Sequence, residues 1–111
     1  MTTFDERERA YEKKFAMDQE LRFKTESRRN RFLGEWAAEK LGLTGTAVDD
    51  YVRAVRKADL LEKGHEDVIR KIRGDFEAAG VGIGEAEIRN RLHDFLVKAV
   101  AQVEAEANLK P

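Results

Sequence analysis

The 111-residue chain contains no cysteine, which excludes disulfides and thiolate metal sites. Its one proline is Pro111, the last residue, so no helix is broken from within by a ring that lacks an N–H. An excess of charge of either sign is also missing: 21 Lys and Arg face 22 Asp and Glu, interspersed along the chain. A purely electrostatic nucleic-acid binder would show a clear basic excess, and a membrane-surface protein a basic amphipathic face. No apolar run approaches the roughly 20 residues needed to cross a bilayer. The first residues mix acids and bases without an apolar stretch, so no signal peptide is expected. No segment alternates at period two for long enough to form a strand.

What the chain does have is helical periodicity. The 41% hydrophobic content suffices for one modest core and is too high for a wholly disordered chain. Thr3 and Glu6 form a capping box, with the hydroxyl accepting from the backbone while the carboxylate reaches back. No clear stop follows before Gly42, which predicts a first helix of roughly 38 residues, about 57 Å long. Gly42-Leu43-Thr44-Gly45 is a turn, and Thr46 with Asp49 opens a second helix bearing Val48, Tyr51, Val52, Val55 and Ala58 at helical period. Gly64 marks the next break. The third helix places Glu66 and Asp67 in its first turn, where carboxylates suit the dipole, buries Val68, Ile69, Ile72 and Phe76, and ends at Gly80 as a left-handed cap. The fourth carries Ile88, Leu92, Phe95, Leu96, Ala99 and Val103 and runs past residue 105. The expected fold is all-α: a four-helix bundle whose long N-terminal helix protrudes or frays over its first half.

That first helix has an interrupted apolar face. Phe4, Tyr11 and Phe15 fall within about 40° of one another at about 100° per residue. The same face continues through Asp18, Arg22, Glu26 and Arg29, and becomes apolar again at Leu33, Trp36 and Ala37. A helix with an apolar root buries the root in its own domain, with Trp36 as a core residue, and leaves the tip for a partner. The helix therefore divides into an arm over residues 1–19 and a charged joint over 20–31. The bundle follows over 32–107 and a tail over 108–111.

Catalytic chemistry is not encoded. Gly80-Val81-Gly82-Ile83-Gly84 has Glu85 where a dinucleotide loop needs glycine, and no strand precedes it; it reads as a helix-to-helix connection. His65 and His93 are the only imidazoles. His65, Glu66 and Asp67 are neighbours at a helix start and point apart, so neither a triad nor a metal site is expected. No cofactor is implied. Arg28-Arg29-Asn30-Arg31 is the one basic cluster. It offers either an anion or partner contact through Arg28, Arg29 and Arg31, or a solvated face paired with Glu26 and Glu35 at helical spacing.

The segment Phe4-Asp5-Glu6-Arg7-Glu8-Arg9-Ala10-Tyr11-Glu12-Lys13-Lys14-Phe15-Ala16 resembles the opening of the zeta inhibitor subunits of bacterial F-type ATP synthases. Arg28-Arg29-Asn30-Arg31-Phe32-Leu33-Gly34-Glu35-Trp36-Ala37-Ala38-Glu39, followed by Leu41-Gly42-Leu43, is similar to the same family's second block, and Glu66-Asp67-Val68 to a third. The resemblance spans residues 3 to about 100. It implies a non-enzymatic inhibitor whose N-terminal segment enters a catalytic interface of the ATPase head. There it would wedge between nucleotide-binding subunits, reach toward the central rotor and block ATP hydrolysis, as the mitochondrial inhibitor does on another fold. Phe4, Tyr11 and Phe15 would then be groove anchors, with Arg7, Arg9, Lys13 and Lys14 facing acidic groups. The protein is expected to be a monomer when free, cytoplasmic, and peripheral to the inner membrane through the synthase. It would touch neither nucleic acid nor the bilayer. Many family members have a histidine near Met17; methionine does not titrate, so no pH switch is carried over. The resemblance assigns no role to Val100–Pro111. A generic helical adaptor or assembly module, and a weak nucleotide- or anion-binding bundle, are the alternative readings.

Overall fold

The computed structural model describes residues 19–60 and 65–109. Among them are four helices and no strand: α1 (Gln19–Lys40), α2 (Thr46–Asp59), α3 (Glu66–Ala79) and α4 (Glu85–Leu109). The all-α bundle expected from periodicity is observed. The proposed arm, with its Thr3–Glu6 capping box, and the Gly64 break lie outside the described residues.

The helix ends follow local chemistry. α2 opens behind Gly45, whose φ is 61°, without a side-chain cap from Thr46 or Asp49. α3 has Glu66 and Asp67 in its first turn and ends at Gly80, φ 73°. There the amide of Val81 donates to the Phe76 carbonyl at 2.9 Å, closing a left-handed cap of the kind glycine adopts without steric cost.

Leu33 and Ala37 from α1, Val55 from α2, Val68, Ile69, Ile72 and Phe76 from α3, and Ile88 and Leu92 from α4 form one buried core. Each fully buried Leu, Ile or Phe contributes about 1.5–3 kcal/mol of transfer free energy. Trp36 is half-buried against this core, its ring edge-on to Phe76 at 5.6 Å between centroids. α1 crosses α2 closely at Gly34, where a Cβ would stand 3.1 Å from both Cα and Cγ2 of Val52.

α1 and α4 are about 33 and 37 Å long at 1.5 Å per residue, against about 21 Å for α2 and α3. α1 packs chiefly on α2 and α4. The extra length of α4 lies along the first half of α1, where Leu96 and Val100 are covered by Leu21.

Candidate functional site

The root of α1 is where any force applied to residues 1–18 would enter the bundle. Thr25, Arg29 and Asn30 are all buried there. Arg29 donates from Nε and Nη2 to Asn30 Oδ1 at 3.1 and 2.9 Å. Asn30 Nδ2 in turn donates to Asp59 Oδ2 at 2.9 Å, and Arg29 Nη2 lies 3.5 Å from the same oxygen. A buried guanidinium is tolerated because a carboxylate and an amide satisfy it together. Thr25 Oγ1 donates back to the Leu21 carbonyl at 2.8 Å, the usual way a helical threonine is satisfied in an apolar setting.

On the α4 side, Arg28 forms a two-pronged ion pair with Glu106, and Lys24 Nζ reaches the same carboxylate at 2.8 Å. The two cations, Arg28 foremost through its hydrogen bonds, hold the Glu106 carboxyl down at about 2. Phe32 packs 6.0 Å from Phe95 and is roofed by Lys98 Nζ at 4.3 Å and the Arg31 guanidinium at 5.1 Å from its centroid. These are cation–π distances.

The basic cluster is therefore divided. Arg28 and Arg29 serve the fold, and their partners come from α4 and α2. The local partners Glu26 and Glu35 of the solvated-face reading are corrected on this point: Glu26 pairs with Arg22 instead, at 3.5 Å. Tertiary neighbours outcompete i,i+4 partners because they are held in place by packing. Arg31 remains exposed, over Phe32. Phe4, Arg7, Arg9, Tyr11, Lys14 and Phe15 lie outside the described residues.

Sequence reasoning passed over one surface. Phe23 and Leu60 are large apolar side chains left 65% and 76% exposed. Together with Glu26, Ser27, Asn30, Arg56 and Asp59 they line a groove of about 190 Å³ between α1 and the end of α2. A shallower depression of about 380 Å³ shares Phe23, Ser27 and Arg56 with it and reaches Glu20, Lys24, Arg28 and Arg31. The available signal was the four-residue recurrence of Phe23, Ser27 and Arg31, matched by Arg56 and Leu60.

The rings of His65 and His93 stand 6.5 Å apart, edge to face. Among the described residues no group of three His, Cys, Asp or Glu side chains is placed to hold a metal ion, and no helix is long and apolar enough to cross a membrane.

The family model of ATPase inhibitor subunit zeta matches residues 1–102. The chain belongs to that family. The matched range takes in residues 1–18, the root of α1 and the whole of the core. No curated protein matches the chain. A protein whose solution NMR structure is known is 42% identical, with a TM-score of 0.68, over 78% of this chain and 98% of that one. Membership in an ATPase inhibitor family makes the role regulatory. Glu106, which grips Arg28, lies beyond the matched range.

Proposed function

We propose that this zeta-family chain inhibits the F-type ATP synthase by inserting residues 1–19 as a helix at a catalytic interface of the ATPase head, against its nucleotide-binding and central rotor subunits. The observation that carries this reading is the anchoring of α1. Its root is fastened to α2 through Arg29, Asn30 and Asp59 and to α4 through Arg28 and Glu106. A segment that enters α1 at Gln19 is thereby backed by a rigid body, which is what an obstruction to rotation needs. The segment itself carries Phe4, Tyr11 and Phe15 on one stripe, with Arg7, Arg9 and Lys14 interspersed among them in sequence. Aromatic and Arg side chains are the types that dominate helix-in-groove interfaces. The protein acts by binding rather than by chemistry, and reaches the membrane through the synthase.

The test is deletion of residues 1–19. The core residues all lie beyond this segment, so the truncated protein is expected to keep its helical content and cooperative melting. It is expected to lose inhibition of ATP hydrolysis by the isolated head. Full inhibition by the truncated protein would overturn the reading.

A further inference from the structure

The groove beside Phe23 runs past Asn30 and Asp59 of the root network and leaves Phe23 and Leu60 largely exposed. Phe23, Ser27 and Arg31 recur every four residues and so share one exposed face of α1. Arg56 in the last turn of α2 and Leu60 just past its end, also four apart, face them. The apolar end is Phe23 with Leu60, both largely in solvent. The other end carries four cations beside one carboxylate, Glu20, while Glu26 and Asp59 of the groove are engaged by Arg22 and by Asn30 with Arg29. Lys24 and Arg28 share a single carboxylate, Glu106. Among the described residues Arg31 has only the Phe32 ring. Arg56 reaches the Ser27 carbonyl at 3.5 Å, and its Nε is buried without a hydrogen-bond partner among the described residues. An exposed apolar pair beside under-neutralised guanidinium groups is unfavourable alone and complementary to one kind of occupant.

We infer that this groove is a second docking site for the ATPase, taking an acidic surface segment that offers an apolar anchor to Phe23 and Leu60 and a carboxylate to Arg31 and Arg56. The inference rests on the proposed inhibitory role and adds a contact made by the folded bundle. Phe23 and Arg31 are eight residues apart, so anchor and carboxylate are separated by about 12 Å along the groove. Charge complementarity selects the occupant: an acidic segment gains the two guanidinium groups, whereas a basic one would meet them with like charge. The site is also contiguous with the arm, since residues 1–18 enter α1 one turn before Phe23. Two contacts carried on one chain bind with effective-concentration gain, so the bundle contact raises the affinity of the arm without inhibiting by itself.

The test uses the full chain with Phe23→Ala and, separately, Arg31→Glu, both at exposed positions that leave the core untouched. Binding to the isolated ATPase head and inhibition of its hydrolysis are titrated side by side, with circular-dichroism melting as the folding control. Each variant is expected to weaken binding about ten-fold, the scale of one hot-spot side chain, while saturating inhibition is retained. Arg31→Glu is also expected to flatten the dependence of binding on salt. If wild type inhibits and both variants titrate identically to it, the groove proposal falls and the arm reading stands. If wild type neither binds nor inhibits, both fall. If Phe23→Ala leaves head binding unchanged and converts a dimer of the free protein to monomer by sedimentation, the face is a self-interface and the proposal is overturned.

Discussion

Arg28 and Glu106 are 78 residues apart in sequence and joined by paired hydrogen bonds across α1 and α4. The pair closes the bundle at the end where α1 begins. Glu106 sits in a stretch to which family resemblance gives no role, and this contact supplies one: the extra turns of α4 hold the root of α1 in register. Lys24 converges on the same carboxylate.

Substituting Glu106→Gln is therefore expected to loosen the first turns of α1 while leaving the core intact. The measurement is amide hydrogen exchange. Residues 20–28 should exchange faster, and those around Leu33 and Val55 should not change. The Glu106 carboxyl is held down from 4.5 to about 2, first by Arg28 and then by Lys24. A group whose folded-state value is depressed stabilises the fold above its unfolded value and loses that contribution as pH falls. The difference in exchange between wild type and Glu106→Gln should accordingly shrink between pH 4.5 and about 2. A constant difference across that range would contradict the pairing.

Two helical glycines are expected to respond oppositely to alanine. At Gly34 a new Cβ would lie 3.1 Å from the Cα and Cγ2 of Val52. The backbone atom cannot swing aside, so α1 and α2 must separate. Gly34→Ala should destabilise by about 1–3 kcal/mol, as overpacking does. At Gly74, on the exposed side of α3, nothing lies within 4 Å. Gly74→Ala should stabilise by about 0.5–1 kcal/mol through the lower entropy of the unfolded chain. Urea unfolding of the two variants checks both signs at once.

The two sites differ in the same way that legible and illegible features of this chain differ. Val68, Ile69, Ile72 and Phe76 recur at helical period and are all buried. Ile88, Leu92, Leu96, Ala99 and Val103 behave likewise in α4. Such positions are readable because the apolar pattern and the helix share one period. The burial of Thr25, Arg29 and Asn30 is not readable, because Asp59, which makes it possible, stands 29 residues beyond Asn30. Trp36 was expected in the core and is half-buried at its edge, since Phe76 takes the interior position beside it. The Phe23 groove is not readable either, because Phe23 lies about 100° from the stripe of Phe4, Tyr11 and Phe15 at helical spacing. Its significance depends on Leu60 and Arg56, which only the α1–α2 packing brings alongside.

Tyr51 should ionise only when the chain unfolds. Its phenol donates to Asp75 Oδ2 at 2.7 Å. Burial foremost, and then this hydrogen bond to an anion, push its ionisation well above the ordinary tyrosine range. A raised folded-state value means that stability is undiminished below the unfolded value near 10 and falls as pH rises beyond it. In a Tyr11→Phe background Tyr51 is the one remaining tyrosine, so tyrosinate absorbance reports it alone. The signal should appear together with loss of helical circular dichroism. Tyr51→Phe should cost about 1 kcal/mol, one hydrogen bond, since Lys71 Nζ at 3.0 Å still satisfies Asp75.

His65 makes the fold sensitive to mild acid. It stands at the entrance to α3, half-buried, with the His93 ring from α4 at 6.5 Å. Burial foremost, then the positive charge of Arg29 on α1, push its proton affinity below the ordinary histidine value of 6.5; His93 and Arg89 on α4 add to this, and Glu66 opposes them. The unfolded chain therefore binds a proton that the folded chain resists. Stability then rises with pH through this window and is lost as pH falls below 6.5, the reverse of a histidine held by a carboxylate. The Glu106 pair titrates well below this window and does not obscure it. Urea unfolding at about pH 7.5 and pH 5.5 should show a lower midpoint at the acid end. His65→Gln, which carries no titratable group, should remove much of that difference. An unchanged pH dependence in the variant would contradict the assignment to His65.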